Sequence, residues 1–152
     1  MTQPTTALNW RLFKPSGSAP DERGRLDATL QRVGELVAGL QASRTDLNPR
    51  RTLSELRSDL ELHFALEESN ENFGALRRER PGIAHELDKL RDEHTAILDK
   101  LSDIQVLASD SRCWSDLSKP ILELAETFRA HEHHEAELLQ EAILRDDGSS
   151  GD

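Results

Sequence analysis

The sequence predicts an all-α fold, an up-down-up-down four-helix bundle with an irregular N-terminal arm. Three observations predict it. Apolar residues recur at helical spacing in four stretches, and no segment alternates with period two for long enough to make a strand. The chain has 152 residues, the size of one domain. Helices of about 20–27 residues joined by short connections must run antiparallel to their neighbours.

The elements follow in order. Residues 1–17 carry Pro4, Pro15 and Gly17 and read as the irregular arm, with Trp10, Leu12 and Phe13 available to lie on the body. The first helix opens near Ser18, with Pro20 in its first turn and Asp21 three residues after the serine. Its stripe is Leu26, Leu30, Val33, Val37, Leu40. The second opens at Thr52, where Glu55 completes a capping box, and runs to about Gly74. The third starts after Pro81-Gly82, and the fourth starts near Ser115 and tolerates Pro120 near its first turn. The bundle spans 18–145, and the polar run 146–152 reads as a disordered tail.

Composition narrows the function. The formal net charge is −10, from 29 acidic and 19 basic residues, which disfavours nucleic acid and anionic membrane surfaces as partners. No apolar run approaches the ~18 residues of a spanning helix, and the N-terminus has no secretory pattern. The single cysteine, Cys113, cannot form an internal disulfide or a thiolate cage, so a reducing cytoplasm is the expected location. A monomer or weak homo-oligomer is expected.

Chemistry enters where the apolar stripes are interrupted. Continuing the second helix as 53, 56, 60, 63, 67 reaches His63 and Glu67. The third, as 83, 87, 90, 94, 97, 101, 104, contains His94. The fourth, as 117, 121, 124, 128, 131, 135, 138, contains His131 and Glu135. Each position should face the core. At ~1.5 Å per residue, all of them fall within one or two turns of a common layer. A lone histidine in such a stripe is more often a hydrogen-bonded core residue. Three helices aiming imidazoles and carboxylates at one depth are different, because burying such groups without partners costs several kcal/mol each. A metal removes that cost, and mixed nitrogen and carboxylate ligation suits iron, manganese or zinc. His133 and Glu137 form another pair four apart, but off the stripe, and His85 reads as surface. The zinc-protease motif lacks its second histidine after His131-Glu132, and no Glu-x-x-His motif occurs.

His63-Phe64-Ala65-Leu66-Glu67-Glu68, Asp92-Glu93-His94 and His131-x-x-x-Glu135 resemble the hemerythrin-like, or HHE cation-binding, domain over about residues 18–144. The resemblance implies a non-haem di-iron centre in a four-helix bundle that binds or reacts with dioxygen, peroxide or nitric oxide. It makes His63 and His131 terminal ligands, Glu67 and Glu135 bridging carboxylates, and His94 a terminal ligand of the other iron.

The sequence departs from that pattern twice. Residues 18–44 contain no histidine; Asp27, beside Leu26, stands as the replacement ligand, with Glu22 a weaker one. Four residues either side of His94 are Leu90 and Leu98, so the second histidine of oxygen carriers is missing. His134, on the flank of the face, is a spare ligand or a supporting base, and Glu68 and Glu132 point outward or support the ligands. Such an open site favours turnover over storage of intact dioxygen. Other readings are a mononuclear iron, manganese or zinc centre, a metal-depleted regulatory or protein-binding bundle, and a di-iron oxygenase or oxidase acting on a small organic substrate. In the last, Ala28, Thr29 or Gly34 would line an access channel.

Overall fold

In a computed structural model, which describes residues 18–149, with side chains for 21–142 and 144, every regular element is helical. The expected arm over 1–17 and residues 150–152 of the expected tail lie outside the described residues. The helices are α1 (Ser18–Gln41), α2 (Pro49–Glu68), α3 (Phe73–Glu79), α4 (Ala84–Ala108) and α5 (Ser118–Ser149). Two 3₁₀ segments, Pro81–Ile83 and Ser111–Asp116, lead into α4 and α5.

The first helix closes where Ser43 takes the left-handed conformation at φ 60° and the Arg44 amide donates to Gly39 O at 2.9 Å. The second begins three residues before the expected Thr52, because Asn48-Pro49 supplies a better start. The Asn48 side chain accepts from the Arg51 amide at 3.2 Å, and Pro49 occupies the first turn.

The expected long second helix is instead broken. It ends at Glu68, and the stretch to Gly74 becomes a turn followed by α3. The cause is local: Leu66 O is taken by the Ser69 amide at 3.3 Å, by Ser69 Oγ at 2.8 Å and by Asn72 Nδ2 at 2.7 Å. Side chains that compete for helix carbonyls end the ladder there. At the other end of the chain, α5 continues to Ser149, into the stretch expected as a tail, since no proline follows Pro120 to interrupt it.

α1 lies against α2, α2 against α4, α4 against α5, and α5 returns to α1. Their stripes meet in a main apolar cluster that includes Leu26, Val33, Leu53, Leu60, Phe64, Ile97, Leu101, Ile121 and Phe128. A separate, smaller cluster joins Phe73 and Leu76 of α3 to Ile83, Leu87, Leu90, Leu138, Leu139 and Ala142. Between the two clusters in each stripe stand the buried polar residues His63, Glu67, His94, His131 and Glu135. No helix among the described residues is long and apolar enough to cross a membrane.

Candidate metal centre

Each of the five inward positions read from the stripes is buried. On α2, the four-residue step from His63 to Glu67 puts both on one face, with His63 Nε2 2.8 Å from Glu67 Oε2. The other oxygen, Glu67 Oε1, lies 2.9 Å from His94 Nε2 of α4. That approach is within ion-pair distance, but neither atom has a hydrogen-bond partner. Donor atoms of Glu67, His94 and His131 lie within 4.8 Å of one another. One carboxylate therefore presents its two oxygens to imidazoles of two different helices.

Aromatic rings fix the imidazoles in place. Phe64 stacks on His94 with centroids 3.9 Å apart and planes 11° apart, and it meets His131 edge-on at 5.8 Å. The His94 and His131 rings lie 4.7 Å apart at 69°.

The outer nitrogen of each imidazole is held by a carboxylate. His63 Nδ1 donates to Glu22 Oε2 at 3.0 Å, His94 Nδ1 to Glu68 Oε2 at 2.5 Å, and His131 Nδ1 to Glu93 Oε1 at 2.7 Å. This arrangement is the usual support of metal-ligating histidine, because it leaves the Nε2 lone pair for the ion. Four inward atoms are then left buried without a partner: Glu67 Oε1, His94 Nε2, His131 Nε2 and Glu135 Oε2. Buried polar atoms are rarely orphaned in a folded protein, and here those of Glu67, His94 and His131 converge from three helices. The donor set fits a cation.

The other expected residues fall elsewhere. Asp27 is 57% exposed and pairs with Arg23 at 3.1 Å along α1. One residue past Leu26, it is turned about 100° off the buried stripe, so it is not at the centre. Glu22, four residues before Leu26, continues the stripe and is the buried acid that α1 supplies. His134 does not reach the centre either; it is partly exposed and donates from Nδ1 to Glu93 Oε2 at 2.9 Å. Glu132 is tied to Arg23 at 2.6 Å. Ala28 and Gly34 are exposed, and the buried Thr29 hydroxyl donates to Asp59 Oδ2 at 2.5 Å, so these three do not line a channel to the site. His85 and His133 are exposed.

Residues 21–143 match the family model for the hemerythrin HHE cation binding domain. The chain belongs to that family. Among curated proteins and among solved structures, none matches this hemerythrin HHE domain significantly.

The electrostatics of the HHE domain's centre follow from its geometry. Burial opposes charge on His63, but the Glu67 and Glu22 carboxylates outweigh it and raise the imidazole from 6.5 to about 10. Burial also opposes charge on Glu67, yet His63 and His94 hold it well below the carboxylate range. Glu135 is pushed well above that range by burial and by facing Glu67. Burial lowers His131. Without an ion, His63 therefore keeps its proton at neutral pH, and a metal must expel it to gain Nε2. Zinc(II) binding is expected to release at least one proton per chain and to strengthen about tenfold per pH unit per proton between pH 6 and 9. Calorimetry in buffers of different ionisation enthalpy checks this, and pH-independent binding would contradict it.

Proposed function

We propose that this HHE domain is a non-haem metal protein whose up-down-up-down bundle holds two iron ions and uses them in redox chemistry with dioxygen, peroxide or nitric oxide. The observation that carries this reading is the convergence of unpaired buried atoms of Glu67, His94 and His131 from three helices, on a carboxylate whose two oxygens face different helices. Glu67 would hold the ions together with His63, which faces its Oε2, with His94, which faces its Oε1, and with His131. Glu135 would complete the set from α5. The irons would supply one-electron steps and a binding position for the small oxidant.

The chain's own residues do the rest. Glu22, Glu68 and Glu93 orient the imidazoles and hold their Nδ1 protons. Phe64, Phe73 and Phe128 shield the imidazoles and keep bulk water away. With five ligands from protein for two ions, positions remain for a small molecule, which supports turnover rather than carriage of intact dioxygen.

A mononuclear centre is the second reading. It is favoured by the tight grouping of Glu67, His94 and His131 while His63 is engaged by two carboxylates. The orphaned atoms weigh against a metal-depleted bundle acting as a regulatory module, since apolar side chains would serve such a bundle better.

Anaerobic loading with iron(II), metal analysis and optical spectra before and after oxygen or peroxide test the proposal. Two irons per chain and a new oxo-bridged di-iron band on oxidation are expected. One iron without that band would establish the mononuclear reading, and failure to bind iron, manganese or zinc would overturn both.

A further inference from the structure

The supporting carboxylates follow one rule around the bundle. Glu22 of α1 serves His63 of α2, Glu68 of α2 serves His94 of α4, and Glu93 of α4 serves His131 of α5. The rule has a simple origin. Glu68 follows Glu67 and Glu93 precedes His94, so each pair is offset by about 100° around its helix. One member faces the centre and the other reaches the imidazole of the neighbouring helix. Every histidine at the centre therefore has an anion on its far nitrogen. Glu132 is different, because the Arg23 guanidinium takes its charge.

A glutamine at each position could accept the same Nδ1 hydrogen bond. The carboxylate adds negative charge only. An anion there draws the Nδ1 proton away and makes Nε2 more electron-rich. In a site shielded from water, that added charge stabilises a more positive ion more than a less positive one. We infer that Glu22, Glu68 and Glu93 are positioning residues that bias the bound metal toward its trivalent state, through the charge they place behind His63, His94 and His131. The inference rests on the metal-site reading above. Its couple is a one-electron one, M(III) plus an electron giving M(II), with the electron supplied or taken by the redox mediators of the titration.

The test uses the iron-loaded full chain with Glu68→Gln and Glu93→Gln, both at partly exposed positions. Each is expected to weaken trivalent relative to divalent binding about tenfold, which for a one-electron couple is a rise of about 59 mV in midpoint potential. Glu68→Asp keeps the charge and should hold the potential nearer the parent value. Glu137→Gln, which removes an exposed charge paired with His133 at 3.1 Å, should not move it. His134→Ala gives an opposite sign without touching the three acids. His134 shares Glu93 with His131, so its removal should leave more negative charge on His131 and lower the potential. This variant decides the matter should a glutamine variant fail to fold. Zinc(II) stoichiometry, which is independent of redox state, should stay at the parent value throughout. Unmoved potentials with full metal content, or a rise in His134→Ala, would overturn the inference and leave the metal site standing. A parent protein that binds neither iron nor zinc would overturn both.

Discussion

Replacing Glu67 by Gln is expected to destabilise the metal-free chain by about 3 kcal/mol, the lower end of the range for removing one partner from a buried ion pair. Glu67 is the anion that His63 faces at 2.8 Å and His94 at 2.9 Å, all in a layer closed to water. Without it, the imidazolium of His63 keeps Glu22 but loses its larger electrostatic partner. The loss is at the low end because Glu135 then no longer faces a second carboxylate. The pH dependence has a definite sign. His63 is raised from 6.5 to about 10, so its contribution is full below 6.5 and fades as the pH rises toward 10. Glu67 is lowered from 4.5, so its contribution is present above 4.5 and fades on acidification. The gap between parent and variant should therefore be widest between these two ordinary values, 4.5 and 6.5. Urea unfolding in the presence of chelator across this range measures it. Equal stability at all pH values would refute the assignment of a charged His63–Glu67 pair.

The second large effect is the stabilisation by metal. An ion that binds the folded chain at about a thousand times its Kd adds about 4 kcal/mol. For a chain of this size, that amounts to a rise in Tm of about 8–16 °C. His131→Leu should sharply reduce the rise. The same variant should melt no lower than the parent when both are stripped of metal, because His131 Nε2 has no partner, its ring already lies against Phe64 and Phe128, and the partly exposed Glu93 it releases keeps His134 at 2.9 Å. That pairing of results separates a ligand from a structural histidine. A structural His131 would lose stability on replacement whether or not metal is present.

Much of the centre was legible before the fold, for a physical reason. Positions that must face a core repeat with a fixed period, so a polar residue in phase stands out against leucine. His63, Glu67, His94, His131 and Glu135 all stand in phase with their stripes, and all are buried. The same rule holds for α1. Stepping four back from Leu26 reaches Glu22, whereas Asp27 is a neighbour in sequence only.

Glu68 and Glu93 carry no such signature. They lie beside inward residues in sequence and off the stripe, and their role appears only when a second helix brings an imidazole to them. The break after Glu68 is hidden in the sequence because the apolar period of α2 continues into Phe73 and Leu76 across it. The local signal was the Ser69, Asn70 and Asn72 cluster, whose side chains suit a turn better than a helix interior.

The polar layer also divides the molecule. The larger apolar cluster lies on one side of it and the smaller cluster of α3 and the adjoining ends of α4 and α5 on the other. Apolar contact is the main cohesive force in such a fold, and this layer interrupts it. The far end is therefore expected to open as a cooperative unit of its own, coupled to the body through the centre rather than through a continuous core. An ion shared by α2, α4 and α5 would act as the rivet between the two units. Its loss would be felt first as local opening of the α3 end, well before the main bundle unfolds.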